Sequence, residues 1–192
     1  MLNMVKGCRI NDPTILFEGY EQTEFGFAAN VDADKIQCIF EGFVKLHNER
    51  CFVILEIPTN VNEESAGSFH KDVFYLDGLT PEQALAFLNA YGQWVVHDGI
   101  STFGIGIHSD GNEMLLDKYN VVTVYTKNAE KYQGFFEKYE INQVSCLMTA
   151  WDYFTEDMPG DSFVYTYKNL NIYDLVEHLK QYGLYFAERR KI

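Results

Sequence analysis

Apolar side chains recur at intervals of three and four residues in four stretches of the chain, which places them on one face of an α-helix. Two stretches follow residues that can cap a helix, Thr80 and Asn171, and the other two come after Asp34 and Asn128. Gly92 and Gly183 can adopt the left-handed conformation that ends a helix, so they mark the ends of two stretches. The pattern predicts four amphipathic helices.

Six runs rich in valine, isoleucine, threonine and aromatic residues lie between these helices and are bounded by turn-forming residues. They are Cys51 to Ile57, Val73 to Leu76, Ser101 to His108, Val121 to Tyr125, Val144 to Phe154 and Phe163 to Tyr167. The sequence therefore predicts an α+β fold, in which a largely antiparallel or mixed sheet of roughly six to nine strands is packed by about four helices.

The segments 73–95 and 164–186 share a pattern of strand, turn, leucine, helix cap and glycine stop, which predicts repeated strand-turn-helix units. An internal duplication would explain the likeness, and so would the common use of the same caps and stops. The most loop-like segment, Asn60 to Ser68, is too short and too central to separate two domains, so residues 1–192 are predicted to form one globular domain. Asp98-Gly99 fits either a hairpin turn after a strand at 93–97 or the exit loop of the preceding helix.

The charge of the chain narrows the choice of partners. Acidic residues outnumber basic ones by 28 to 15, for a formal net charge of −13. This excess repels phosphate groups, so nucleic acids and anionic membranes are disfavoured partners, and the acidity serves either solubility alone, the favoured explanation, or the binding of a basic partner. No apolar run suits a membrane span, the first ten residues lack a signal-peptide pattern, and the four cysteines lack CxxC spacing. These features predict a cytoplasmic protein with reduced thiols.

Candidate chemistry centres on two histidines with neighbouring carboxylates. His97, Asp98, His108 and Asp110 are the residues best suited to a metal or ligand site, because imidazoles supported by carboxylates bind transition metals. No HxxxH, HExxH or HxH spacing accompanies them, and structural or surface histidines explain the same residues. The chain has no nucleophile elbow or phosphate-binding loop, so we predict no catalytic residue and no cofactor.

The run FGIGI leaves one face of a strand without side chains, because Gly104 and Gly106 alternate with larger apolar residues. Bare backbone permits the close approach of a helix, a ligand or a partner. Packing by one of the protein's own helices is the favoured explanation, and a ligand is the alternative.

The most distinctive stretch is residues 150–161, AWDYFTEDMPGD, which we call the aromatic-acidic segment. Aromatic side chains can anchor a partner while carboxylates steer a basic one towards them. On this interpretation, the partner-binding residues are Trp151, Asp152, Tyr153, Glu156, Asp157 and Asp161. The alternative places Trp151 and Tyr153 on a strand that faces the core, with the acids in a solvated loop.

The favoured function is that of a non-enzymatic acidic binding protein that captures a basic protein partner. In its general profile, small and acidic with no catalytic signature, the chain resembles bacterial immunity and antitoxin proteins. That resemblance implies neutralisation of a toxin, such as a nuclease, by tight surface binding. Two other hypotheses stay open: a small enzyme or ligand-binding protein that uses the two histidines and their carboxylates, and a structural or adaptor protein whose acidity serves solubility. The sequence does not specify an oligomeric state.

Overall fold

An eight-stranded antiparallel sheet dominates the computed structural model, which describes residues 1–59 and 69–191. The predicted loop from Asn60 to Ser68 lies outside the described residues. The strands are β1 (Cys8–Arg9), β2 (Gly19–Thr23), β3 (Gly26–Asn30), β4 (Cys51–Pro58), β5 (His70–Leu79), β6 (Thr102–Ile107), β7 (Asn112–Asp117), β8 (Val121–Tyr125), β9 (Asp161–Ser162) and β10 (Tyr185–Lys191). The large sheet has the order β10-β5-β4-β6-β7-β8-β3-β2, and β1 pairs separately with β9.

Three of the four predicted helical stretches are α-helices: α1 (Ala33–Lys45), α2 (Pro81–His97) and α3 (Ile172–Lys180). Capping boxes begin α2 at Thr80 and α3 at Asn171, as the sequence predicts. The fourth stretch instead forms two 3-10 turns, Ala129–Tyr132 and Phe136–Tyr139. Between them Gly134 has a φ of +68°, which an α-helix does not accommodate.

Helix α2 continues past Gly92 to His97, so Asp98-Gly99 is its exit loop and 93–97 is not a strand. Gly92 serves close packing here, because a Cβ atom at this position would lie 2.3 Å from Oε1 of Gln37 in α1. The helix continues through Gly92 without a left-handed turn, and the atoms that a side chain here would meet belong to a flexible residue that could move aside.

The main core lies between the helices and one face of the sheet, as the alternation along β6 shows. Phe103 projects towards the helices, with its ring centroid 4.9 Å from that of Phe40 and 6.2 Å from that of Phe87. The opposite face of β6 is bare at Gly104 and Gly106, as predicted. The predicted packing of a helix on this face is wrong for the described residues, because side chains of neighbouring strands cover the glycines: Phe52 lies over Gly106, and Ile54 and Leu115 lie over Gly104.

The predicted strands at Val144 to Phe154 and Phe163 to Tyr167 are wrong. Beyond a single bridge between Gln143 and Tyr20, the first segment leaves the sheet edge and contains only a 3-10 turn. Residues 163–166 form no strand either, so the segments 73–95 and 164–186 share a capped helix but not a strand-turn-helix unit. The sequence prediction missed six strands, whose residues are more polar or smaller than the usual strand formers: β1, β2, β3, β7, β9 and β10.

Three distant segments meet at what we call the glycine junction, formed by Gly7, Gly99 and Phe163. The N–H of Gly7 donates to the carbonyl of His97 at 2.8 Å, and the N–H groups of Gly99 and Phe163 donate to the carbonyls of Phe163 and Gly7 at 3.2 and 2.9 Å. The backbones are so close that a Cβ atom on Gly99 would lie 1.8 Å from the carbonyl oxygen of Gly7. The junction thereby fixes the chain that leaves the aromatic-acidic segment.

Asp98 reinforces the glycine junction from the end of α2. Its buried carboxylate accepts the N–H groups of Ile100, Ser101 and Tyr165 at 3.2, 2.9 and 2.9 Å. Burial raises the pKa of Asp98, while these hydrogen bonds act in the opposite direction. Asp98 therefore has a structural role in joining two loops.

Among the helices of the described chain, none has the length and apolar character needed to cross a membrane.

Candidate functional site

The aromatic-acidic segment lies on the surface, with a 3-10 turn at Ala150–Asp152. Trp151 is 53% exposed, which excludes the interpretation that it faces the core. Its ring makes edge contacts with Tyr119 and Phe154, with centroids 5.0 and 5.4 Å away. Since Tyr119 is buried, one side of the Trp151 ring packs against a fixed residue, while about half of the side chain is exposed to solvent.

The turn that carries Trp151 is held by a capping box. The carboxylate of Asp152 accepts the N–H of Thr149 at 2.7 Å and its hydroxyl at 2.9 Å. Asp152 therefore combines an exposed charge with a local structural role. A capping box satisfies backbone groups reciprocally, which restricts the orientation of the turn.

Beside Trp151 lies an apolar hollow of about 200 Å³, formed where the aromatic-acidic segment packs on residues 10–16. It is lined by Ile10, Asn11, Asp12, Ile15, Leu16, Ala150, Tyr153, Phe154 and Met158. Tyr153, predicted as a partner-binding residue, is thus half-buried in the wall of the hollow. A hollow of this kind can accept one apolar side chain of a partner.

A second hollow, of about 230 Å³, shares Ile15 and Tyr153 with the first. Phe17 and Met148 line it and are themselves exposed, Phe17 by 62%. The exposed apolar side chains around the two hollows are Phe17, Met148, Trp151 and Met158, and together with the hollows they form what we call the docking face. Clustered apolar exposure of this kind is typical of a protein-binding surface.

The segments that form the docking face contain no basic residue. Residues 10–34 lack lysine and arginine, and their acidic residues are Asp12, Glu18, Glu21, Glu24, Asp32 and Asp34. Residues 139–167 also lack both, and their acidic residues are Glu140, Asp152, Glu156, Asp157 and Asp161. These two segments therefore contribute negative charge and no positive charge, which favours the approach of a cationic surface.

The acids of the docking face differ in how far they are already paired. Glu18 binds Lys35 with a distance of 2.7 Å between Oε2 and Nζ. Asp161 lies in β9 opposite Arg9 of β1 and is exposed. Within the described chain, the side chains of Glu156 and Asp157 make no hydrogen bond or ion pair, so both carboxylates are available to a partner.

The structure does not bring His97 and His108 together. His97 is buried at the end of α2 and has its ring against Tyr165, whereas His108 follows the far end of β6, a strand that spans about 20 Å. His108 stacks on Phe52 and lies 2.8 Å from Asp77, and Asp110 binds Asn112 and Lys131. In the ranges 1–59 and 69–191, no group of three or more histidine, cysteine, aspartate or glutamate residues is placed to hold a metal ion.

A buried histidine that sequence reasoning missed ties α1 to the loop at Ala129–Tyr132. Lys131 Nζ donates to Nδ1 of His47 at 2.8 Å, which leaves the ring hydrogen on Nε2 to donate to the hydroxyl of Tyr132 at 3.0 Å. Lys131 also donates to Asp110 at 3.3 Å. The His47 side chain has no exposed surface, so it ties α1 to this loop from inside the fold. The residues of this cluster are far apart in sequence, so no sequence motif predicts that they meet.

The His47 cluster predicts a loss of stability in mild acid. Burial lowers the pKa of His47 most, and the nearby Lys131 lowers it further. Asp110 and Glu49 raise the pKa, but their effects are weaker. The unfolded chain therefore binds a proton more readily, and the stability present above the ordinary histidine pKa is lost as the pH falls through and below it. Between about pH 7.5 and 5.5, the melting temperature of the wild type is expected to fall more than that of His47→Gln, which does not titrate. Parallel pH profiles for both proteins would contradict this assignment.

Comparison with protein-family models, with curated proteins and with solved structures finds no match to this chain. Function is therefore inferred from the docking face.

Proposed function

We propose that this chain is a non-enzymatic binding protein that captures a basic protein partner through the docking face, in the manner of an immunity or antitoxin protein. The observation that carries the proposal is Trp151, which is half exposed on a fixed base beside an apolar hollow. Aromatic residues of this kind supply most of the binding energy at protein interfaces, because a partner removes their remaining surface from water.

The partner is expected to carry an apolar side chain in a basic surface. The apolar side chain enters the hollow lined by Ile15 and Met158, and Trp151 packs against its surroundings. Lysine or arginine residues around that side chain then meet Glu156 and Asp157, which have no partner of their own in the described chain. Charge complementarity of this kind mainly raises the association rate and rejects acidic competitors, while the buried anchor sets the dissociation rate.

The partner search uses the immobilised full chain and a lysate of the source cells at about 50 mM and about 500 mM salt, since screening weakens surface charge attraction. We expect a basic protein to be retained stoichiometrically at low salt and retained less at high salt. A double variant, Glu156→Lys with Asp157→Lys, should retain much less of it. Phe186→Ala, which changes an exposed aromatic residue on the opposite sheet edge, should retain as much as the wild type.

Two outcomes of this search would reject the proposal. One is the absence of any stoichiometric basic protein among the retained material. The other is equal retention by the wild type, the double charge variant and the Phe186 variant, which would place the binding surface elsewhere.

A further inference from the structure

A third hollow, of about 400 Å³, lies next to the docking face, where β2 and β3 meet the two 3-10 turns. Gly19 lines the second hollow and its neighbour Tyr20 lines this one, so the docking face and the third hollow are adjacent along β2. We call it the polar hollow. Its floor is aromatic and consists of Tyr20, Phe27 and Tyr132.

The floor of the polar hollow is rigid. Tyr20 stacks on Phe136 with a centroid distance of 5.1 Å, and Phe27 contacts Tyr20 and Tyr132 at 6.1 and 6.2 Å. All three floor residues are buried, so they present an apolar base and not open ring faces. Such a base suits the methylene stem of a long side chain whose charged end stays at the rim.

One carboxylate at the rim is held in position from below. The Tyr20 hydroxyl donates a hydrogen bond to Oε1 of Glu137. Burial, together with this carboxylate, raises the pKa of Tyr20 to about 12, so the phenol keeps its proton and continues to donate. Glu137 is exposed, and its other oxygen, Oε2, has no hydrogen-bond partner among the described residues.

The rest of the rim consists of Gln22, Glu130, Gln133 and Gln143, whose side chains make no hydrogen bond within the part of the chain that the structure describes. No lysine or arginine lines the hollow. The neighbouring Lys131 does not neutralise the carboxylates of the hollow, because the Lys131 ammonium group binds His47 and Asp110 instead. The rim therefore offers several oxygen acceptors and two carboxylates around an apolar base.

We propose that the polar hollow receives an arginine side chain of the basic partner. This inference rests on the proposed function and specifies the partner's chemistry. Three methylene groups would lie on the aromatic floor, and the guanidinium group would donate to Glu137 Oε2, to Glu130 and to the glutamine oxygens. Arginine fits better than lysine because its planar guanidinium group has five N–H donors for acceptors spread around a rim, whereas lysine has three on one atom. Anions are disfavoured by the two carboxylates.

The test uses the full ¹⁵N-labelled chain and the probe Nα-acetylarginine amide, with the matched neutral probe Nα-acetylcitrulline amide. The arginine probe should cause saturable shifts in amide signals of residues 20–22, 130–137 and 143, with a dissociation constant on the order of 1 mM, as its size allows. The citrulline probe should bind at least about tenfold more weakly, because it lacks the charge.

Three single substitutions test whether the arginine probe binds in the polar hollow. Glu137→Gln keeps an acceptor for Tyr20 and should weaken arginine binding about fivefold or more. Glu140→Gln removes an exposed carboxylate outside the hollow and should leave binding unchanged. Gln133→Glu adds a carboxylate at the rim and should strengthen binding, so the proposal stays testable if the Glu137 variant folds poorly. The absence of saturable shifts, equal binding of citrulline, or equal effects of the Glu137 and Glu140 variants would overturn it.

These outcomes separate the polar hollow from the docking face. Arginine binding by the polar hollow without any basic protein in the partner search would reject the proposed function and leave the arginine site in place. A captured basic protein whose affinity does not respond to Glu137→Gln would reject the arginine site and leave the proposed function in place.

Discussion

Replacing Gly99 with alanine is expected to lower the free energy of unfolding by about 3 kcal/mol or more. The new Cβ atom would lie 1.8 Å from the carbonyl oxygen of Gly7 and 2.9 Å from that of Phe163. Both are backbone atoms, so no side chain can rotate away, and the three segments of the glycine junction must separate. Chemical denaturation followed by circular dichroism measures the change.

Gly111→Ala is the matched control for Gly99→Ala. Gly111 has a φ of +68° but no atom within 4 Å of its hypothetical Cβ, so alanine there meets conformational strain alone. That strain is expected to reduce stability by about 1 kcal/mol. If Gly99→Ala is no more destabilising than Gly111→Ala, the close contact at the glycine junction is absent in solution.

Trp151→Ala is expected to raise the rate at which the captured partner dissociates by about 30-fold, which corresponds to about 2 kcal/mol. The association rate should change by less than about threefold, because the variant leaves every charge of the docking face in place. Surface plasmon resonance with the partner identified in the lysate search measures both rates.

Phe186→Ala controls for the general loss of an exposed aromatic side chain. Phe186 is 51% exposed and Trp151 is 53% exposed, but Phe186 lies on β10 at the opposite edge of the sheet. Its removal should leave both rate constants unchanged. A Trp151 variant that dissociates as slowly as the wild type, or an equal effect of both variants, would contradict the assignment of Trp151 as the anchor.

The helices could be predicted from the sequence because their signals are local. Thr80 with Gln83, and Asn171 with Asp174, satisfy the first backbone N–H groups by themselves, and the structure has both capping boxes. The 3-10 turns around Gly134 were predicted as a helix because Tyr132, Phe135 and Phe136 have helical spacing, although those side chains enter the core from a bent backbone. Spacing does not report a change of backbone direction.

The candidate site could be predicted only in part. The aromatic and acidic residue types of the segment were enough to predict that Trp151 and its acidic neighbours bind a partner. The strand prediction for Val144 to Phe154 followed from β-forming residues, but the segment has no neighbouring strand to pair with beyond Gln143. The apolar hollow also needs Ile10 and Ile15, which lie far away in the sequence, so only tertiary structure could show it. The acids of these segments were visible in the sequence, whereas the position of Asp12 and Glu18 at the two hollows was not.

The pairing of β1 with β9 determines when the docking face can form. Cys8 pairs with Ser162, so the two strands close a loop that contains most of the described chain, although α3 and β10 lie outside it. Contacts between such distant residues form late in folding, because the entropy of closing the loop is lost before they are gained. β1 has no strand to pair with until β9 is in place. Because the docking face needs contacts between residues so distant in sequence, we expect it to assemble only with the fold as a whole and not as a local unit.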